Sequence, residues 1–249
     1  MTIKCLVSFV NILLFWVLSI PASKAVTDNN FGFDTTRLVI NEKQPKNAYF
    51  RFINKTEQTY LISGAIYGSL ADGTKSDKRE GGFILTPPVS KSTPYTEKIL
   101  RVIRTGGKFS DNKESLFYFS ASFVPGESKS TASGKIPLKI GYVWNMKVFY
   151  RPASISNARI INFFDRITVK KQKDSLYIQN DSPLWFTVVS IKTDTDAKAR
   201  PLPMMVGPYS MSLLPVDKFP FGKGQKLKLQ FIDEDGHHVP EDGRVYIVR

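Results

Sequence analysis

Two adjacent histidines, His237 and His238, are the only imidazoles of the chain, and they lie in an acidic turn with Asp233, Asp235 and Asp242. Imidazole and carboxylate groups are zinc ligands, but a metal site needs three or four ligands that converge on one point. The turn alone does not offer that pattern, so we expect surface histidines, no metal and no other cofactor. A serine hydrolase would need one of the same histidines, and the chain has neither a Gly-x-Ser-x-Gly elbow nor a Gly-rich phosphate loop. The sequence therefore offers no motif of a metal site, a serine hydrolase or a phosphate-binding loop.

A different kind of chemistry, binding through an apolar strand, is indicated between residues 138 and 152. Bulky apolar side chains alternate there with smaller or polar ones, and the segment ends in Lys147 and a Tyr-Arg-Pro stop. Because side chains alternate between the faces of a strand, this pattern predicts a strand with one bulky face. Such a stripe suits a strand lent to another chain, but the pattern alone fits equally a stripe that faces the protein's own core. The bulky positions are Leu138, Ile140, Tyr142, Trp144 and Met146.

The elements that position these residues are short strands separated by turns, and no segment of convincing length has the helical period. Regular spacing of short strands and turns predicts an all-β sandwich fold. The strand-like runs are 37–40, 48–53, 60–67, 98–103, 115–123, 138–150, 167–169, 175–178, 185–191, 226–232 and 245–248. The best domain boundary lies near residues 151–154, which gives domains 26–152 and 153–249, each long enough for one sandwich.

The N-terminus has the pattern of a secretion signal over residues 1–25. Lys4 is followed by an apolar run at 5–20, then Pro21 and a small-residue cleavage site after Ala25. A membrane anchor is the alternative, but this run is shorter than the roughly 20 residues that span a bilayer. Cleavage removes the only cysteine and lowers the formal charge from +13 to +11. The basic residues are dispersed and the chain is exported, so we expect no nucleic acid partner and no stable membrane insertion.

Five segments together resemble the periplasmic pilus (fimbrial) chaperones of the chaperone–usher pathway, over nearly the whole mature sequence. They are TRLVI at 36–40, LTPPV at 85–89, ESLFYF at 114–119, KVFYRPA at 147–153 and, more weakly, NDSPLWFTV at 180–188. The resemblance implies two immunoglobulin-like β-sandwich domains at an angle with a cleft between them. It also implies a periplasmic protein that caps pilus subunits by donor-strand complementation and delivers them to an outer-membrane usher, without an enzymatic step.

The resemblance assigns roles to several residues. Arg37 and Lys147 match the basic pair that holds the subunit's C-terminal carboxylate, a role that suits a forked guanidinium and a point-charge ammonium. Leu138, Ile140 and Tyr142 are the candidates that fill the subunit's open groove, with Trp144 as a possible fourth. Glu114 and Arg151 match an ion-pair network between the domains, which needs a third acid from 233–235. Glu234 is the acid we expect, although Asp233 and Asp235 remain alternatives.

Two other classes of function compete with this interpretation. A fibre subunit or adhesin would carry its own donor extension at the mature N-terminus, where residues 26–36 alternate too weakly. A carbohydrate-binding sandwich would need exposed aromatic residues in a concave patch.

The chain also lacks the cysteine pair of the long-loop chaperones, yet its loop at 125–137 is longer than is typical of the short-loop class. An exposed apolar strand is an aggregation hazard, so a self-capping dimer is a further hypothesis.

Overall fold

The computed structural model describes residues 31–45, 48–126, 140–196, 198–215 and 222–249. These residues form 17 strands, and two short 3₁₀ helices, Ala153–Ile155 and Ile160–Arg166, connect the tenth strand to the eleventh. The first ten strands are β1 (Phe31–Phe33), β2 (Arg37–Asn41), β3 (Tyr49–Asn54), β4 (Tyr60–Ser69), β5 (Lys75–Arg79), β6 (Phe83–Thr86), β7 (Val89–Ser92), β8 (Thr96–Arg104), β9 (Ser115–Pro125) and β10 (Tyr142–Arg151). The remaining strands are β11 (Ile167–Gln172), β12 (Ser175–Asn180), β13 (Phe186–Thr193), β14 (Arg200–Val206), β15 (Ser210–Leu213), β16 (Lys226–Ile232) and β17 (His238–Ile247).

Strands β1 to β10 form one sandwich of two sheets. One sheet has the order β1-β3-β8-β6, and the other has the order β2-β10-β9-β4-β5, with β7 paired to β4. Alternation places the core between them: Phe50 and Phe52 of β3 are buried, while their neighbours Tyr49 and Arg51 are exposed. Phe50 stacks on Phe119 of β9 at 4.7 Å between ring centroids, which joins the two sheets.

Strands β11 to β17 form a second sandwich, with sheets β11-β12-β15 and β14-β13-β16-β17. Strand β16 shows why it folds this way: Leu227, Leu229 and Phe231 are fully buried, while Lys226 and Lys228 on the other face are exposed. The two sandwiches confirm the predicted all-β class. None of the helices in the described part of the chain is long and apolar enough to cross a membrane.

A small apolar cluster joins the two sandwiches. Leu116, Tyr118 and Phe149 of the first pack against Trp185 and Met205 of the second. The β4–β5 turn also approaches closely: a Cβ at Gly73 would lie 2.5 Å from Met205 Cβ, and φ there is +82°. Only glycine fits this backbone conformation and this contact without strain.

The structure differs from the sequence prediction in several elements. The strand predicted at 138–150 begins at Tyr142 and ends at Arg151 in the described chain, and Leu138 lies outside the described residues, as does the predicted signal at 1–25. Strands β1, β5, β6, β7, β14 and β15 were not predicted. Their composition explains this, since β5 is Lys-Ser-Asp-Lys-Arg and β14 contains two prolines, so neither has a clean apolar alternation.

Candidate functional site

Arg37 and Lys147 come together through an unusual strand pair. Strand β10 runs parallel to β2, and in this register Lys147 lies directly opposite Arg37. Every other pairing between named strands is antiparallel in the described ranges. Thr35 fixes the start of β2, because its hydroxyl donates to the Arg37 carbonyl at 2.7 Å and accepts from the Arg37 N–H at 3.3 Å. The fold thus places two cations side by side.

The electrostatic environment of this pair is unfavourable in the free protein. Arg37 is only 5% exposed and its Nε has no hydrogen-bond partner within the described chain, although its Nη1 donates to the Ile232 carbonyl at 3.4 Å. Burial lowers the pKa of Arg37, while the charges of Asp233, Glu114 and Glu234 oppose that decrease. Burial also lowers the pKa of Lys147, and the charge of Arg37 lowers it further. Neither side chain has an acid within ion-pair distance among the residues that the structure describes. The pair is therefore a site that an incoming anion would stabilise.

A cleft between the sandwiches gives access to Lys147. The cavity has a volume of about 830 Å³, and the first sandwich contributes Lys147, Tyr118 and the β4–β5 turn to its wall. Strands of the second sandwich form the opposite wall, with Thr187 and Ile232 among its residues. A carboxylate that reaches Lys147 through this cleft would be partly shielded from water, which strengthens a charge-assisted hydrogen bond.

A free strand edge leads to the cation pair. Residues 142–146 of β10 pair with β9 along one side. Their other side has no strand partner among the described residues, because β2 begins at Arg37, opposite Lys147. A row of unpaired N–H and C=O groups is a template for pairing with another chain. The free edge ends at Arg37 and Lys147, so one end of an added strand would lie next to these two cations.

The predicted apolar stripe divides into two parts. Ile140 and Tyr142 are 57% and 49% exposed. Trp144, by contrast, packs on the core of the first sandwich, with its ring 5.6 Å from Phe31 and 5.4 Å from Phe123 between centroids. Met146 is buried in the same core. The stripe therefore serves the protein's own core at one end and faces solvent at the other.

Glu114, Arg151 and Glu234 meet between the two sandwiches. Arg151 donates to Glu114 Oε1 from Nε at 2.9 Å and from Nη2 at 2.6 Å, and its Nη2 also reaches Glu234 Oε1 at 3.2 Å. Both Glu114 and Arg151 are buried. Burial raises the pKa of Glu114, while the Arg151 charge opposes that increase. Glu234 is thus the acid from the 233–235 segment that contacts Arg151.

Backbone groups complete this network, and sequence patterns could not reveal them. Glu114 Oε2 accepts the N–H of Trp185 at 2.8 Å, and Glu234 Oε1 accepts the N–H of Ile160 at 2.8 Å. Arg159 lies 3.8 Å from Glu234 Oε2. Glu114 therefore bonds Arg151 and the backbone of the second sandwich, and Glu234 bonds Arg151 and the backbone of the connecting 3₁₀ helix. No side-chain pattern encodes a backbone donor.

The histidine turn has a structural explanation. Asp233 Oδ1 accepts the N–H groups of Asp235 at 3.0 Å and His237 at 2.8 Å, which shapes the turn. Asp235 pairs with Arg159 at 3.2 Å. One ligand atom each of Asp233, Asp235 and His237 lies within 4.8 Å of the others. These carboxylates already have backbone or guanidinium partners, which hold the turn in this shape.

Comparisons with known proteins agree with this architecture. The family described as "Pili and flagellar-assembly chaperone, PapD N-terminal domain" matches residues 30–156, and "Pili assembly chaperone PapD, C-terminal domain" matches residues 163–243. The chain is 26% identical over 228 residues to the probable fimbrial chaperone SfmC of Escherichia coli, which covers 92% of this chain and 93% of SfmC. It resembles the solved structure of the E. coli chaperone DraB with a TM-score of 0.67 at 18% identity, over 88% of this chain and 97% of that one. A structure of the Salmonella enterica SafA pilin in complex with the SafB chaperone gives a TM-score of 0.70 at 18% identity, over 87% and 94% of the chains.

Proposed function

The chain belongs to the family of PapD-type pilus-assembly chaperones, and from this premise we propose that it binds pilus or fimbrial subunits in its cleft and delivers them to an outer-membrane usher. The observation that carries the proposal is the parallel register that sets Arg37 beside Lys147 at the end of a free strand edge. The solved complex of the SafA pilin with the SafB chaperone supports a partner of the same class.

The cation pair is the proposed anchor for the C-terminal carboxylate of the subunit. A carboxylate accepts hydrogen bonds from the guanidinium and the ammonium together, and it relieves the repulsion between these two desolvated charges. An anchor at one end of the strand also fixes register, which matters because a slip by one residue turns every side chain to the other face.

The strand edge at 142–146 is the proposed donor for the subunit's open sheet. The subunit strand would satisfy the unpaired backbone groups, while Ile140 and Tyr142 would enter its apolar groove, with Leu138 continuing the stripe. Each buried side chain of this size contributes about 1.5–3 kcal/mol before ordering costs. Trp144 stays a proposed fourth contact at the junction, where its ring already packs on Phe31.

Location and domain division follow the same proposal. Residues 1–25 act as a cleaved signal, the mature protein works in the periplasm, and its subunit-binding domain at 26–152 is followed by a second domain at 153–249. Glu114, Arg151 and Glu234 hold the two domains at a fixed angle. The protein acts by binding alone, without a catalytic step. A fibre subunit or a carbohydrate-binding sandwich does not explain two adjacent, partly desolvated cations at the end of a free strand edge.

The test is co-purification of tagged mature protein with the pilus subunits of its source. Three proteins are compared: wild type, Arg37→Ala/Lys147→Ala, and the control Arg101→Ala/Lys98→Ala, which removes the same charges from β8. We expect a one-to-one complex with wild type and control, and none with the Arg37/Lys147 variant. A complex that survives in that variant would move the anchor elsewhere. No complex with any of the three, despite confirmed subunit expression, would overturn the proposed function.

The free protein also has to protect its exposed stripe, and we expect it to do so by pairing with a second copy through residues 140–142. Tyr142 is half exposed and borders the free edge, so Tyr142→Lys would place a charge in that contact. Light scattering should show dimers for wild type and monomers for the variant. The same mass for both proteins would exclude this mode of capping.

A further inference from the structure

The second sandwich contributes an unusual wall to the cleft. Met204, Met205, Met211 and Leu213, here called the methionine wall, all line the cavity that contains Lys147. Three of the chain's five methionines therefore line this one space, with Met205, Met211 and Leu213 as its main apolar groups, because Met204 also packs on the core of the second sandwich. Met211 and Leu213 are 44% and 55% exposed, so their apolar surface is accessible to a partner in the cleft.

The wall faces the position that an added strand would take. Lys147 and Phe149 lie on the same face of β10, because side chains alternate along a strand. Phe149 packs with Met205 and Trp185 of the second sandwich, so this face of β10 is turned toward the wall. A strand added beside residues 142–146 would continue the same sheet, and every second side chain would point across the cleft.

The chemistry of the wall defines what it would accept. Methionine is unbranched and polarizable, so it adapts its shape to apolar groups of different size. Surfaces rich in methionine accordingly bind several related partners. The cavity has about 830 Å³ of space, which is enough for one or more large side chains beside a carboxylate at Lys147.

We propose that the methionine wall is a second binding element of the cleft, and that it receives apolar side chains next to the C-terminal carboxylate of the subunit strand. This inference rests on the proposed function, because it assumes that the carboxylate lies at Arg37 and Lys147. The anchor recognises only the charge of the subunit's C-terminus, whereas the wall selects among the side chains next to it. It favours leucine and phenylalanine over serine at these positions.

Peptide binding separates the wall from the anchor. The probes are fluorescent strand peptides that end in a free carboxylate and carry Leu, Phe or Ser at the two positions before it, together with amidated versions. The proteins are wild type, Met211→Ser/Leu213→Ser, and the control Val245→Ser/Ile247→Ser, which changes two similarly exposed residues on β17 outside the cleft. All four substituted positions are exposed, so each protein should fold, and circular dichroism checks this.

Wild type and control should bind the Leu and Phe peptides roughly tenfold more tightly than the Ser peptide, since one apolar side chain in a pocket is worth about that factor. In the Met211/Leu213 variant we expect this preference to disappear, while amidation still weakens every peptide. An unchanged preference in that variant would overturn the wall and leave the carboxylate anchor intact. If amidation has no effect on wild type, the carboxylate anchor at Arg37 and Lys147 is wrong, and the wall, which rests on it, is wrong as well.

Discussion

At the scale of single residues, Lys147 lies where its ammonium is partly desolvated and faces a second cation, Arg37. Burial and the neighbouring Arg37 both lower its pKa, so the fold holds the ammonium against desolvation and repulsion. A residue that weakens the folded state without a compensating contact indicates a role in binding. The two cations are close because the register of β2 and β10 places Lys147 directly opposite Arg37.

Replacing Lys147 by methionine should therefore separate stability from function. Lys147→Met removes a desolvated charge and keeps the length of the side chain, so we expect the free energy of unfolding to rise by about 1 kcal/mol. Affinity for carboxylate-terminated peptides should fall toward that of amidated ones, with Arg37 retaining part of the preference. Urea unfolding and fluorescence anisotropy measure the two effects, with Lys98→Met on β8 as the control. A variant that is less stable than wild type would show that Lys147 has a structural role.

The lowered pKa of Lys147 also predicts opposite pH trends for stability and binding. The unfolded chain keeps the Lys147 proton up to the ordinary value of 10.5, so between the folded pKa and that value the unfolded state binds more protons. Stability from this group rises with pH across that window. Carboxylate binding needs the ammonium and weakens as pH passes the folded pKa.

The measurement is the difference between wild type and Lys147→Met in urea unfolding and peptide affinity, taken from about pH 7 to pH 10.5. The difference cancels the titration of other groups. A wild-type affinity that does not change relative to the variant over this range would contradict the assigned role of Lys147.

At the scale of elements, β10 changes its role along its length. Its C-terminal half is enclosed between β2 and β9, while its N-terminal half has β9 on one side only among the described strands. Trp144 marks the transition, because its ring closes the end of the first core against Phe31, Phe33 and Phe123.

Alanine substitutions should reveal this transition. Trp144→Ala should lower the free energy of unfolding by about 2–4 kcal/mol, because it opens a cavity among these rings. Tyr142→Ala should change it by less than about 1 kcal/mol, since the side chain is half exposed. Chemical denaturation of both variants tests the contrast, and equal losses would show that the core extends to Tyr142.

The alternation from 138 to 146 predicted the strand and its bulky face but not the division of that face. The division depends on Phe31 and Phe33 of β1, which cross the end of the core and cover Trp144. Strand β1 has three residues and was not predicted, so nothing local to β10 could show which aromatic would be covered. Arg37 and Lys147 were predicted only through family motifs, because the parallel pairing that joins them is a tertiary property.

At the scale of the whole molecule, one buried network connects the two domains. Glu114 and Arg151 come from the first domain and its last strand, and both bond the second domain or the segment that leads to it. A buried ion pair of this kind specifies geometry more than it adds stability. The motifs predicted Glu114 and Arg151. They did not decide which of the three acids at 233–235 contacts Arg151, because that depends on the shape of the turn. Asp233 fixes this shape by accepting two backbone N–H groups.

Glu234→Ala should loosen this junction. It removes a partner of Arg151 and leaves the Ile160 N–H without its acceptor, so we expect a loss of about 1–3 kcal/mol. Asp235→Ala is the control in the same turn, and its exposed pair with Arg159 should contribute less than about 1 kcal/mol. Calorimetry measures both variants. If both variants lost the same free energy of unfolding, Glu234 would not be the acid that stabilises the junction.

The parallel pairing of β2 with β10 also has a consequence for timing. Arg37 belongs to the second strand of the chain and Lys147 to the tenth, so the proposed anchor is a contact of long sequence separation that needs both strands in place. During synthesis, the segment with Arg37 is complete well before its counterpart exists. A first domain that still lacks β10 consequently has no complete site for the C-terminus of a subunit. Binding through this site becomes available only when the sheet is complete.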